Sequence, residues 1–457
     1  MPYPPELKEL IKIVEKTRPE RVDRKRKGEE FTPLTLDERD VRLKKFHPDY
    51  KEDSRREIRV GVSKGYAISP EIVNTLEAKS RIDPEDIQFD EIDYECDVLV
   101  IGGGGREHAL GWKLSQSRFV EKIYCAPGNA GIAKLAECVN IQDTDIRNLA
   151  SFVEKTGVDF TVVGPEAPLS EGIVDYFNSR KLNTFGPGQK AAQIESSKIF
   201  AKEFMNEFNI PTASFVSFDN AEDAIRFVEN HKLPLVIKAD GLAAGKGTVV
   251  AESVEEAKDA IRRSMIERAW GEAGRRILIE EFIPGREVSV LAFTDGKTVV
   301  PMVTSTDYKR AFDGGAGPNT GGMGTISPNP NMDERLIQRI QEEILQPTID
   351  GLRYRGTPFK GVIYPGLMIV DGQFKVLEYN CRFGDPETQV VLPLLETDLM
   401  EIMLHIHHDK LDEADIVWKE NMSAMCVVMA SGGYPKRYKK GAEISGLDDV
   451  NDDQTYV

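Results

Sequence analysis

From residue 97 onward, short apolar runs alternate with longer helix-like stretches. Asp97-Val-Leu-Val-Ile-Gly102 is an apolar run of strand length that ends in Gly102-Gly-Gly-Gly105. It passes into Arg106-Glu-His-Ala-Leu-Gly-Trp-Lys-Leu, which predicts a helix start. Lys122-Ile-Tyr-Cys-Ala-Pro-Gly-Asn-Ala-Gly131 and Phe160-Thr-Val-Val-Gly-Pro-Glu-Ala-Pro168 repeat the scheme, and Thr184-Phe-Gly-Pro-Gly188 closes it. The alternation predicts an open parallel α/β sheet whose loops gather at the carboxyl edge, where such sheets bind ligands. The Pro-Gly and Gly-Pro pairs also read as plain turn punctuation. Three of them on one sheet edge favour a ligand site.

Before residue 97 the pattern differs. Residues 1 to about 60 are crowded with charge of both signs, and only Leu7, Leu10, Ile11 and Val14 keep helical spacing, which predicts one short amphipathic helix. The basic run Arg24 to Lys27 is interleaved with acids and reads as solvated surface. This region is assigned no chemistry.

Composition narrows the class. A chain of 457 residues has room for about three domains, and 40% hydrophobic with 30% charged residues is ordinary for a globular protein. No span approaches the length of an apolar membrane helix, and Met-Pro-Tyr-Pro-Pro-Glu-Leu-Lys lacks a secretory core, so a cytoplasmic protein is expected. Five scattered cysteines without Cys-x-x-Cys spacing predict reduced thiols, with neither a zinc site nor a disulfide framework. A net charge of −17 argues against nucleic acid as a partner, though not against a basic pocket for a phosphorylated small molecule.

Two segments carry the candidate chemistry. Val236-Ile-Lys-Ala-Asp-Gly-Leu-Ala-Ala-Gly-Lys-Gly-Thr-Val-Val250 places Lys238 and Lys246 on a strand–loop–strand with three glycines. The glycine spacing is one residue short of a P-loop, and a strand follows instead of a helix. A flexible hairpin that folds over phosphates, with Lys238 approaching from the strand beneath, fits better. Val376-Leu-Glu-Tyr-Asn-Cys-Arg-Phe-Gly-Asp-Pro-Glu387 puts Glu378, Asn380 and Arg382 at alternate positions, on one face of a strand. Magnesium takes one or two protein oxygens and leaves the rest to water and phosphate. Glu378 and Asn380 supply that count, and Arg382 stands next to stabilise a phosphoryl group in flight.

Other segments leave alternatives open. Ile277-Leu-Ile-Glu-Glu-Phe-Ile283 is either a plain edge strand with solvated acids or a nucleotide-binding segment, with Glu280 and Phe282 in it, that presents backbone groups to an adenine edge, Glu287 just beyond accepting from ribose hydroxyls. Thr304-Ser-Thr-Asp-Tyr-Lys-Arg310 and Gly317-Pro-Asn-Thr-Gly-Gly-Met-Gly324 read as polar loops forming a substrate cradle in which Arg310 neutralises an anion. Gly102 to Gly105 do not complete a dinucleotide fingerprint, because Glu107 stands where the third glycine should be.

From Asp97 to the end, over about four-fifths of the chain, the sequence resembles glycinamide ribonucleotide synthetase (phosphoribosylamine–glycine ligase), a family of the ATP-grasp superfamily. Gly102-Gly-Gly-Gly-Arg-Glu-His-Ala-Leu110, Ala126-Pro-Gly-Asn-Ala-Gly131, Val163-Gly-Pro-Glu-Ala-Pro-Leu169, the Lys238 to Gly247 segment, Asp307-Tyr-Lys-Arg310, Asn319-Thr-Gly-Gly-Met-Gly324 and the Tyr379 to Gln389 segment carry the likeness. It implies an α/β chain (α+β overall): a charged extension over 1–95, an N-terminal open parallel α/β domain over 96–196, an ATP-grasp fold over 197–412 and an incomplete C-terminal domain over 413–457. The activity implied is ATP-dependent joining of glycine to 5-phosphoribosylamine through glycyl phosphate, by a monomer using Mg2+ or Mn2+. The resemblance adds Lys198 as a nucleotide contact. It gives Asp307 and Arg310 to the glycine zwitterion, and Gly104, Asn129, Glu166, Lys309, Asn319, Gly321 and Gly322 to the substrate side. Residues 1–95 lie outside the pattern and faintly resemble the leader of a succinate dehydrogenase or fumarate reductase flavoprotein. The pattern also continues past Val457, so open apolar strand edges are expected there, and an inactive nucleotide-binding fragment is the alternative reading. Another ATP-grasp carboxylate–amine ligase is the nearest rival activity.

Overall fold

The computed structural model describes residues 5–27, 35, 37–38, 41, 56–57, 67–68, 73, 95–243, 247–447, 450 and 454–457. The chain divides into two compact units, Met1–Glu91 and Ile92–Val457. In the first, the expected short helix extends over Pro5–Arg26, and Arg56–Glu57 pairs antiparallel with Ala67–Ile68. Within the basic run, Lys27 pairs with Asp23 at 2.7 Å on the surface.

The second unit opens with the predicted parallel sheet, in the order Glu137–Cys138, Val120–Pro127, Cys96–Gly102, Phe160–Val163, Asn183–Phe185. Its central strand is apolar on both faces because helices cover both. Leu99 and Ile101 pack with Leu149, Val153 and Phe177, whereas Val98 and Val100 pack with Leu110, Leu114 and Met403. The strands all end on one edge, so the loops after Gly102, Pro127 and Val163 lie side by side.

A four-stranded antiparallel sheet follows, ordered Thr248–Ala251, Leu235–Ala239, Ile277–Glu281, Phe215–Phe218. Helices Ala221–Glu229 and Val254–Ile261 cover it, capped by Asn220 and Ser253 side chains that accept from backbone N–H groups of their first turns. Their periodic apolar residues Ala224, Val228, Ala257 and Ile261 meet Leu235, Ile237, Ile277 and Ile279 from the strands. Ile277–Glu281 is therefore an internal strand, which overturns the edge-strand alternative: Glu280 is 2% exposed while Glu281 is solvent-facing.

The next sheet carries Gln373–Asn380 against Gly361–Val370, whose other side pairs with Arg286–Ser289 and Ala292–Thr294, and the latter pairs with Val299–Pro301. The segments read as polar loops are instead short strands. Thr306–Asp307 pairs with Gly324–Ser327, and Arg310–Phe312 with Ala316–Asn319. Ala424–Val427 adds to the free side of Gly324–Ser327. On this strand Met425 and Val427 are exposed, and so is Met429 just after it. All five cysteines are free, and no helix among the described residues is long and apolar enough to cross a membrane.

Candidate active site

Strand Leu235–Ala239 sends Lys238 into the interior, 5% exposed, where its Nζ lies 3.0 Å from Glu280 Oε2 and donates to the Leu377 carbonyl at 3.0 Å. That carbonyl is free because the ladder slips at this point. Glu378 faces Gly366 and Val376 faces Leu367, leaving Leu377 without a partner. The bulge thus links the lysine strand to the strand that bears Glu378. Lys198, the first residue of helix Lys198–Glu207, donates through Nζ to the Gly241 carbonyl at 3.1 Å. The root of the glycine hairpin is fixed by Ala239 N–H to Gly247 O and Gly241 N–H to Ala273 O. Lys246 lies outside the described residues.

Lys202 was not anticipated from the sequence. It sits one helical turn beyond Lys198, 2% exposed, with Nζ 3.3 Å from Glu280 Oε2 and donating to Thr212 Oγ1 at 2.6 Å. Burial pulls its pKa down to about 8 against the pull of Glu280. Its signal was the i,i+4 spacing from Lys198 inside the apolar run Ile199 to Met205. Both lysines converge on Glu280 Oε2, so Oε1 is buried and unpartnered.

Glu378 is the centre of charge. Burial alone would raise its pKa, but Lys309, Lys238, Lys198 and Arg382 outweigh burial and hold the carboxyl below its usual range. Asn380, two residues on, leans its Nδ2 toward the Tyr364 carbonyl at 3.4 Å. The strand ends at Asn380, so Arg382 lies beyond it and not on the strand itself. Its guanidinium meets Glu166 Oε2 at 3.3 Å and Glu195 Oε1 at 3.0 Å. Burial works against its charge, yet the two carboxylates keep it firmly protonated. The same contacts pull Glu166 down: burial raises its pKa, but Arg382 and then Arg106 prevail.

On the other side of Glu378, Asp307 ends its short strand with Oδ1 buried and unpartnered. Its pKa is pushed up to about 7 by burial and then by Glu387, against Lys309. Glu387 is itself buried and accepts from Tyr364 Oη at 2.6 Å. Lys309 pairs with Glu287 at 2.9 Å and is held protonated, burial being overcome by Glu287, Glu378 and Asp307. Gly322 has φ +134°, and a Cβ there would come within 2.4 Å of Pro386 Cδ and 2.9 Å of Asp307 Oδ1, so only glycine lets this loop close on the acid. Gly321 N–H donates to Tyr434 Oη at 3.3 Å.

Not every predicted residue joins the cluster. Arg310 is exposed on its hairpin and donates to the Gly317 carbonyl at 2.6 Å, and Asn319 is its exposed ladder partner. Phe282 is 40% exposed just past its strand. Asn129 spends its amide on the neighbouring loop and its own, donating to Gly103 O at 3.0 Å and accepting from Ile132 N–H at 2.8 Å. At Gly104 the helix start is already filled. Glu107 Oε2 accepts the Gly104 N–H at 2.7 Å, and Arg106 Nε donates to Oε1 at 2.7 Å. A Cβ on Gly164 would lie 2.2 Å from Glu107 Oε1, so that glycine makes room for the carboxylate.

Arg106 and Glu195 were also missed. Arg106 donates to the Phe383 carbonyl at 3.1 Å, and Glu195 Oε2 accepts the Cys381 N–H at 2.7 Å. Together they clamp the segment around Arg382 from the N-terminal sheet's side. Among the described residues no three His, Cys, Asp or Glu side chains form a metal cluster. One ionised carboxylate and one amide oxygen at Glu378 and Asn380 suit a hard cation that also takes ligands from phosphate, and are too few for a purely structural metal.

Residues 96–195 match the family Phosphoribosylglycinamide synthetase, N domain, and residues 196–388 match its ATP-grasp (A) domain. The phosphoribosylamine–glycine ligase of Caldanaerobacter subterraneus subsp. tengcongensis is 50% identical over 359 residues, 79% of this chain and 86% of the relative. That of Clostridium acetobutylicum is 48% identical over 355 residues, 78% and 85% of the two chains. The crystal structure of the Thermotoga maritima ligase superposes with a TM-score of 0.65 at 32% identity, covering 76% of this chain and 83% of that one. This chain belongs to the phosphoribosylglycinamide synthetase family, with its ATP-grasp fold.

Proposed function

We propose that the chain joins glycine to 5-phosphoribosylamine, converting ATP to ADP and phosphate and forming glycinamide ribonucleotide. The observation that carries the assignment of roles is the position of Lys238. It touches Glu280, suited to the base, and helps ionise Glu378, suited to the phosphates, so one nucleotide spans both. Lys198 and Lys246 would grip the phosphates, and Phe282 and Glu287 would border the base and ribose. Glu378 and Asn380 would hold Mg2+ or Mn2+, which when bound supplies charge to the phosphate oxygens.

A carboxylate is unreactive toward amines until one oxygen becomes a leaving group. Glycine, its ammonium on Asp307, presents its carboxylate oxygen to the γ-phosphorus; that P–O bond forms as the bond to ADP breaks. Arg382, rigid between Glu166 and Glu195, stabilises the charge on the transferring group. The amine of phosphoribosylamine then attacks the acyl carbon and phosphate departs, with the loops bearing Gly104, Asn129, Glu166, Asn319, Gly321 and Gly322 on that substrate's side and Lys309 and Arg310 bordering the glycine. No enzyme nucleophile is required, and catalysis is positioning with charge stabilisation.

ADP release in the presence of ATP, glycine and freshly made phosphoribosylamine tests this. ADP formation that requires both substrates is expected. ADP formation indifferent to glycine, or supported equally by other acids, would reassign the chain to another carboxylate–amine ligation. The reading also places the enzyme in the cytoplasm as a monomer, checked by sedimentation at micromolar concentration.

A further inference from the structure

The buried lysine that the reaction does not use has a place in the nucleotide site. Glu280 carries two oxygens in unequal surroundings: Oε2 meets Lys238 at 3.0 Å and Lys202 at 3.3 Å, and Oε1 is buried with no donor. A buried acceptor without a partner is costly, and such groups persist where a ligand completes them. Two ammonium groups on one oxygen lock the carboxylate's rotation, since turning it would forfeit both charge-assisted contacts. Lys202 is itself anchored by Thr212 Oγ1, which donates in turn to the Val376 carbonyl at 2.7 Å, on the Glu378 strand. The carboxylate is thereby tied to the strand that bears Glu378 as well as to its own sheet.

We propose that Lys202 is a positioning residue for base selection: with Lys238 it fixes Glu280 so that Oε1 accepts from the exocyclic amine of adenine and rejects 6-oxopurine nucleotides. Adenine offers a donor at position 6. Hypoxanthine and guanine place a carbonyl oxygen there, which would face the carboxylate as a second acceptor. A lost hydrogen bond to a charged acceptor corresponds to a preference of about 10- to 100-fold for ATP over ITP. Lys202 touches no reacting atom in this scheme; it acts through Glu280.

The inference rests on ATP being the bound nucleotide, but its test does not depend on ligase turnover. Dissociation constants for ATP and ITP, each with Mg2+, are measured by titration on the full chain, alongside glycine-dependent ADP release. The expected result is a wild-type ratio of about 10 or more that falls to within about threefold in Lys202→Met, with ATP affinity reduced and ITP affinity hardly changed. Should that variant fail to fold, Thr212→Val removes one anchor of the ammonium and is expected to lower the ratio about two- to fivefold. A wild-type ratio near one overturns the proposal, and so does an unchanged ratio in a folded Lys202→Met or, failing that, in Thr212→Val. Loss of base preference in Lys202→Met with no glycine-dependent ADP release from wild type would support the inference while refuting the ligase reading.

Discussion

Replacing Asp307 by Asn separates its two roles, because they respond to pH with opposite signs. The buried carboxyl, beside Glu387 and further opposed by Glu287, has its pKa raised to about 7, with Lys309 pulling the other way. In the unfolded chain it ionises near 3.8. Between these values the folded chain binds a proton that the unfolded chain does not, so Asp307's contribution to stability is most favourable below about 4 and is lost as pH rises through 7. At pH 8 the ionised group costs the free protein at most about 4 kcal/mol, from about 1.4 kcal/mol for each tenfold change in proton affinity. Relaxation around the site reduces this, so Asp307→Asn should stabilise the ligand-free protein by about 1–3 kcal/mol at pH 8 and by much less near pH 4. For glycine the sign reverses, because the ammonium needs the ionised carboxylate. Wild-type KM for glycine should be flat above pH 7 and rise about tenfold per unit below it. In Asp307→Asn it should be raised at least about 30-fold and lose that dependence. Thermal unfolding at both pH values and initial-rate ADP release provide the readouts. A variant that is destabilised at pH 8, or that keeps wild-type glycine KM, would refute the assignment.

If Glu378 holds the metal as proposed, Glu378→Gln should lower kcat by about 100- to 1000-fold while nucleotide binding measured without divalent cation changes little. Glu195→Gln keeps an acceptor for the Cys381 N–H but loses the ion pair to Arg382, so kcat should fall about 10- to 100-fold with KM for ATP within about threefold; Glu195→Asp should recover part of the loss. Gly322→Ala meets Pro386 and Asp307 at once, with φ at +134°, and should lower stability by about 1–3 kcal/mol by thermal unfolding and raise glycine KM.

The fold was legible where one signal sufficed. The run Val98 to Ile101 reads as a doubly covered strand from its own residues, and all four are fully buried. What remained hidden was strand order and distant partnership. Nothing local to Ile277–Glu281 says that strands flank it on both sides, and a two-residue ladder such as Thr306–Asp307 is too short to show a period. Glu195 and Arg106 were illegible for a related reason. Their partners, Cys381 and Phe383, lie 186 and 277 residues further along the chain. Lys238 and Glu378 were recognisable because each stands in a local motif, and Lys198 only through the family resemblance; Lys202 had no signal beyond its i,i+4 spacing from Lys198, and its partner Glu280 is 78 positions away in sequence.

Glu107 shows how one residue changes the meaning of a motif around it. A strand, a run of glycines and a helix start make an anion site in which backbone N–H groups at the helix's positive end face a phosphate. Here the protein supplies the anion. Glu107 reaches back to the Gly104 N–H, is neutralised by Arg106, and lies over Gly102 and Gly164, where added Cβ atoms would strike it at 2.6 and 2.2 Å. The glycines of two loops therefore accommodate a side chain instead of a pyrophosphate. The Arg106 that neutralises Glu107 also holds the Phe383 carbonyl, beside Arg382. A sheet edge that resembles a dinucleotide site thus buttresses the segment that carries Arg382, and the sequence difference at position 107 is what converts one use into the other.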